Sequence, residues 1–320
     1  MRRVLVWSLF TSLFIFFFSS PAAAASSLRG TAQGDVSWAD GEYHYGLGLR
    51  VDGLFAPDEA WSFTLRGHLG LRDGETEAEL QRAYLEYASG PVRLRLGRQA
   101  VAWGIGWFFR PTDLITSRLF LAEEEERPGK DLAFLSMATS DLGGVEFVAG
   151  EGLFAARSGF TIGRSELRLL GLWEGEVKTL GCDLQGGLAG LYLEAAYEWA
   201  ADSAAGRPAL LLGWKRAIGE GRLFYAEYLH DERGHLFPRR NYLALGIKIP
   251  RDELTEYTLA ALASLDDGGI MASGLVSLVL SDRADLQAGA GVVLGPENTD
   301  FALAAAGARF SLSAALKYYF

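Results

Sequence analysis

Five arginines recur where extended backbone would place them on one side: Arg50, Arg66, Arg82, Arg93 and Arg95. Each alternates with apolar neighbours, as in LGLRV around Arg50 and VRLRL from Val92 to Leu96. Successive side chains of a strand point to opposite faces, so all five fall on the polar face. A guanidinium offers a planar fork of donors matched to carboxylate and phosphate, so such a row is chemistry for attracting an anion. His44, His68 and Glu86 share that face. So do the carboxylates of Glu42, Asp52, Glu194, Glu198, Glu227 and Glu256, and an ion-pair lattice that stiffens a wall accounts for the same residues. Arg98 has the opposite parity, which places it at a rim or in a turn.

Catalysis is the weaker reading of these side chains. The four histidines are His44, His68, His230 and His235. No nucleophile motif, phosphate-binding Gly loop or metal-ligand spacing accompanies them. Cys182 alternates with Leu180 and Leu184 and reads as a small hydrophobe; a lone cysteine excludes an intrachain disulfide and a Cys-rich metal site. The sequence therefore predicts no enzyme, no cofactor and no metal.

The elements that position the arginines are segments of about ten residues with period-two alternation, and no segment sustains a helical period instead. Tyr43, Tyr45, Leu47, Leu49 and Val51 oppose Glu42, His44, Arg50 and Asp52; Trp61, Phe63, Leu65, Leu69 and Leu71 oppose Thr64, Arg66, His68 and Arg72. Turn signals separate the segments, among them Asp73-Gly74, Ser89-Gly90-Pro91, Gly143-Gly144 and Asp267-Gly268-Gly269. Of 320 residues, 49% are hydrophobic and 39 are Gly, yet the one apolar run near membrane-helix length is the first, which rules out a helical bundle. The net charge of −10 argues against a phosphate-neutralising surface and hence against nucleic acid as a partner. An antiparallel transmembrane β-barrel meets all of these conditions, with apolar residues toward lipid and polar ones toward a lumen. A soluble β-sandwich also alternates, but its aromatics would not recur at segment ends.

Residues 1–25 combine Arg2 and Arg3, an apolar stretch from Val4 to Phe18 and small residues at Ala23, Ala24 and Ala25, the pattern of a cleaved secretory signal peptide. A single barrel domain is expected over 26–320. Segment counting gives about seventeen strands, whereas a chain with both ends in the periplasm needs an even number, so sixteen is favoured within a range of fourteen to eighteen. Read from the two ends, the positions of tight turns disagree between Glu151 and Ala200. The forward reading puts Glu174-Gly175-Glu176 in the periplasm, and an additional strand over Arg157 to Arg164 would resolve the conflict.

The final segment, ARFSLSAALKYYF, places Phe310, Leu312, Ala314, Leu316, Tyr318 and Phe320 on one face. It resembles the last strand of Gram-negative outer-membrane barrels, whose terminal aromatic is read by the barrel-assembly machinery. That resemblance makes Tyr318 and Phe320 a membrane-insertion signal. It also implies an outer-membrane location, contact with lipid and lipopolysaccharide, and a possible homo-trimer.

One stretch, about residues 100–130, breaks the meander, and a connection of that length is usually functional. Gly97 to Leu114, with GRQAVAWGIG and RPTDL, resembles a signature of porin-like and alginate-export barrels. The resemblance implies a loop folded back into the lumen, with Trp103, Trp107, Phe108, Phe109, Arg110 and Asp113 forming a constriction. An outer loop over the rim is the alternative. The Glu123 to Glu126 run reads as solvated, with cation chelation as its alternative. The expected function is passive diffusion of small hydrophilic solutes, anionic ones among them. A plugged polysaccharide-export or assembly barrel and a non-conducting structural or adhesion barrel stand as alternatives.

Overall fold

The computed structural model describes residues 25–39, 42–116, 127, 129–140, 143–187, 189–199, 206–219, 221–235, 237–305 and 309–320. The strands are β1 (Ala25–Ala39), β2 (Glu42–Ala56), β3 (Trp61–Arg72), β4 (Glu75–Ser89), β5 (Val92–Gln99) and β6 (Lys130–Ser140). They continue as β7 (Gly143–Gly150), β8 (Leu153–Ile162), β9 (Ser165–Glu174), β10 (Val177–Gln185), β11 (Leu191–Trp199) and β12 (Arg207–Ile218). The last six are β13 (Arg222–Asp231), β14 (Asn241–Pro250), β15 (Thr255–Ser264), β16 (Ile270–Ser281), β17 (Ala284–Leu294) and β18 (Phe310–Tyr319), with a short helix α1 (Asp300–Ala304) before the last. The strand β1 begins at the last residue of the segment read as an export signal. The rest of that segment and the Glu123 to Glu126 run lie outside the described residues.

Each strand pairs antiparallel with its neighbours in sequence, and β1 pairs with both β2 and β18, so the sheet closes into an 18-stranded barrel. The seam registers Gln33 with Lys317 and Val36 with Ala314. Beyond β18, Phe320 exchanges both backbone hydrogen bonds with Gly30, at 2.9 and 3.0 Å. Its ring lies where a side chain at position 30 would be, 2.1 Å from the site of a Cβ, so this contact requires glycine. Closure satisfies every strand edge, which is what lets a sheet stand in hydrocarbon.

Two faces follow from the alternation. Leu47, Leu49, Leu169, Leu180, Leu245, Leu312 and Leu316 project outward and exposed. Aromatic pairs mark both ends of this belt: Trp38 with Phe310, Phe154 with Trp173 and Tyr197 with Trp199 at one end, Trp61 with Tyr87 at the other. Cys182 is on the same face, partly exposed.

Eighteen strands is the top of the expected range and two above the favoured sixteen. The strand β8 is the additional element over Arg157, and its turn with β7 is only two residues long. With it in place, the turn at Glu174 to Glu176 joins β9 to β10 at the end that carries the long connections, which corrects its periplasmic placement. The connections at that end include 100–129, 232–240 and 295–309; those at the opposite end, where Ala25 and Phe320 lie, have at most five residues.

One irregularity changes what faces inward. In the β3–β4 pair Arg66 opposes Arg82 while Gly67 opposes Leu80, leaving Gln81 as a bulge. A one-residue slip exchanges the faces of a strand. Arg82 and Glu86 therefore face the lumen on one side of the bulge, and Glu75, Glu77 and Glu79 do so on the other.

Candidate functional site

The connection from β5 to β6 enters the barrel, and its shape is written by wall carboxylates. Glu194 on β11 accepts hydrogen bonds from the backbone N–H of Ile105 and of Gly106 (2.6 Å), from Thr112 N–H (3.1 Å) and from the Thr112 hydroxyl (2.6 Å). Glu227 on β13 accepts from the N–H of Trp107, from those of Phe108 and Phe109 (both 2.9 Å), and from the Tyr192 hydroxyl. Glu146 on β7 accepts from the Trp103 indole at 2.9 Å. Two glycines permit this path. Gly104 has φ +88°, and at Gly106 a Cβ would lie 1.8 Å from the Phe109 carbonyl oxygen.

The returning limb is closed by a buried ion pair between Asp113 and Arg127. Asp113 also accepts from Trp103 N–H at 3.1 Å, while Arg127 donates to the Thr116 carbonyl at 2.7 Å. Burial pushes the Asp113 carboxyl up to about 6 against the pull of Arg127. Arg233, paired with Asp231 at 3.0 Å, donates to the Pro111 carbonyl at 2.9 Å and ties the loop to the outer end of β13.

Beneath the loop the lumen wall is apolar. Val101, Trp103 and Ile115 pack on Leu132, Phe134, Val148, Leu153, Ala155, Leu170 and Leu172 of β6 to β9. Phe108 and Phe109 pack with Tyr192, Leu211, Tyr225, Leu229, Tyr242 and Leu262 of β11 to β15, joined by Phe301 of α1. Trp107 stacks on Tyr225 at 4.1 Å with Lys248 over its ring. Phe237 bridges this cluster to the outer connections through Phe109, Tyr242 and Phe301.

The wall from β1 to β5 is polar and borders open volume. A cavity of about 1180 Å³ is lined by Gln33, Asp35, Arg50, His68, Glu79 and Lys317. A second, of about 870 Å³, is lined by Arg50, Asp52, Thr64, Arg66 and Arg283, and both share Thr31 and Arg50. Asp52 pairs with Arg66 and, at 3.5 Å, with Arg50. Glu86 sits 3.2 Å from Arg95 and 3.9 Å from Arg93. Arg82 donates to the carbonyls of Gln81 and Arg127, each at 2.8 Å. Asp52 and Glu86 thus serve four arginines between them. Arg95 also lies 4.5 Å over the Phe134 ring, at the border of the apolar half.

Of the other residues singled out in the sequence, His44 is at the outer end, 2.9 Å from Asp73, and that hydrogen bond holds the Asp73 carboxyl below its ordinary value. His68 registers between Arg50 and Glu79. Arg110 donates to the Gly106 carbonyl at 2.7 Å, inside the loop. His230 contacts Asn241 and His235 contacts Glu198, so the histidines form no joint site. Arg98 forms a bidentate pair with Asp131 at the outward rim. Glu198 pairs with Arg207 and Glu256 with Lys248, at 2.6 and 2.9 Å. Glu194 and Glu227, expected among the partners of the arginines, hold backbone amides instead. Arg157 and Arg168 went unrecognised because the strand carrying the first was in doubt. They pair with Glu146 (2.9 Å) and Glu166 (2.7 Å) and line a further cavity with Arg93 at the short-turn end.

No protein-family model and no curated protein matches this chain. Solved structures do match in fold. Pseudomonas aeruginosa OccK2 in complex with glucuronate aligns with TM-score 0.64 at 11% identity, over 94% of this chain and 99% of that one. Pseudomonas aeruginosa OccD3 aligns with TM-score 0.62 at 10% identity, over 93% and 92%. A triple mutant of Rhodopseudomonas blastica porin aligns with TM-score 0.53 at 11% identity, over 92% and 100%. At these identities the likeness is one of fold.

Proposed function

We propose that this protein is an outer-membrane channel for passive diffusion of small hydrophilic solutes, and that its lumen is narrowed by residues 100–129. The observation that carries this reading is the pairing of a closed, lipid-compatible barrel with open volume along the β1–β5 wall. Arg50, Arg66, Arg82, Arg93 and Arg95 line the path, and Trp103 to Asp113 form the facing side. Arg50, Arg66 and Arg82 lie near the middle of their strands, where low-dielectric walls focus their field. Solutes bearing a carboxylate or phosphate are favoured there. Glucuronate, the ligand of one similar structure, belongs to that class. Ser273, Ser277, Ser311 and Ser313 share the lumen face on β16 and β18 and offer hydroxyl partners to a polyhydroxylated acid.

The exposed belt supports contact with outer-membrane lipid and, at the long-loop end, with lipopolysaccharide. Tyr318 and Phe320 serve as the signal read by the assembly machinery, and residues 1–25 as the cleaved export signal. Association as a trimer belongs to the same reading. Planar-bilayer recording with liposome swelling in sugars of graded size tests the function. Open steps and uptake that falls with solute size are expected. Conductance only after removal of residues 103–130 would replace the channel with a plugged exporter, and silence in both forms with a structural or adhesion barrel.

A further inference from the structure

We propose that Glu194 and Glu227 are positioning residues that set the aperture. They hold five consecutive backbone amides, Ile105 to Phe109, and the Thr112 turn against the wall. This rests on the reading of 100–129 as the narrowing element and goes beyond it by naming what holds that element in place.

Two carboxylates receive eight donors, six of them main-chain N–H groups, with two donors on each oxygen. Glu194 is 0% and Glu227 1% exposed, so water does not complete either set. Buried amides need partners, and among the described residues the segment from Ile105 to Phe109 has no secondary structure in which to find them. The wall therefore supplies what a helix or sheet would otherwise supply. The two clamps also divide the loop. Glu194 joins its two limbs across the Thr112 turn, and Glu227 fixes the Trp107 to Phe109 run that seats the aromatic cluster. Only an ionised carboxylate fits, being an acceptor at both oxygens; a glutamine amide turns one of them into a donor that faces donors.

The test is Glu194→Gln, Glu227→Gln and the double variant, compared with Glu166→Gln, a carboxylate paired with Arg168 at the short-turn end. Swelling assays on protein with wild-type heat-modifiable mobility should show stepwise loss of discrimination between small and large sugars, complete in the double variant. Glu166→Gln should keep the wild-type size limit. Glu227→Asp keeps the charge but shortens the reach and should behave as Glu227→Gln, which separates position from charge. A spin label at Ala102→Cys in a Cys182→Ser background reports the loop without conduction: immobile in the parent, mobile in the double variant. A folded double variant with the wild-type size limit and an immobile label would overturn the proposal. If the double variant does not fold, the single variants decide by the same two readouts. If the parent does not conduct, the channel reading fails while the label still decides the clamp.

Discussion

The two halves of the lumen wall obey different rules. From β6 to β15, toward the long-loop end, it is built like a globular core, with Phe109, Leu211, Tyr225 and Leu229 fully buried under a loop whose amides end on wall carboxylates. From β1 to β5 it is built like a wetted surface, where Arg50, Arg66 and Arg95 are about one-fifth exposed and share Asp52 and Glu86. The barrel alone does not produce this division, since every strand alternates. It comes from which inward positions carry apolar groups, and the loop follows them because burial in the sealed half removes its aromatic surface from water.

The contrast predicts unequal responses to truncation. Phe109→Ala, in the sealed half, should cost about 3–5 kcal/mol of loop docking, as buried Phe→Ala changes do. Hydrogen exchange at the amides of 105–109 measures it, and wild-type protection in the variant would mean that the aromatic cluster does not hold the loop. Asp113→Asn comes next and depends on pH. An acid raised in the folded state binds its proton more tightly there than when unfolded, so its ionisation costs stability above about pH 6. That cost disappears as the pH falls toward about 4. Relative to wild type the variant should gain up to about 3 kcal/mol as pH rises through this window, with no change outside it. Urea unfolding in lipid across that range is the check, and a pH-independent difference would remove the burial argument. Arg66→Ala, in the wetted half, should cost less than about 1 kcal/mol, because its pair is partly exposed. A loss as large as that of Phe109→Ala would mean that the arginine row is structural.

Much of this arrangement could be read in the sequence, and where it could not the reasons are local. Alternation in segments such as Trp61 to Leu71 identified the barrel and the arginine face, because lipid and lumen impose opposite demands on successive residues. The loop stood out by length and by the Trp-Gly pairs around Gly104 and Gly106. The apolar half was harder to see because its strands lose contrast: Leu210, Leu211 and Leu212 are apolar on both faces, which suits a wall with lipid on one side and a packed loop on the other. The bulge at Gln81 has a signal in the shift of phase from Leu80 to Ala83, Leu85 and Tyr87, and it turns Glu75, Glu77 and Glu79 inward. The roles of Glu194 and Glu227 have no local signature, since their partners in the loop lie 82 to 120 residues away along the chain.

On this reading solute passes along the arginine wall. Reversal potentials across a planar bilayer in a low-salt gradient, where screening is weak, test it most directly on wild type and on Arg50→Ala, Arg66→Ala and Arg95→Ala. The wild type should show an anion preference that declines with each replacement and is lost in the triple variant. A cation preference that persists unchanged through all of them would contradict it.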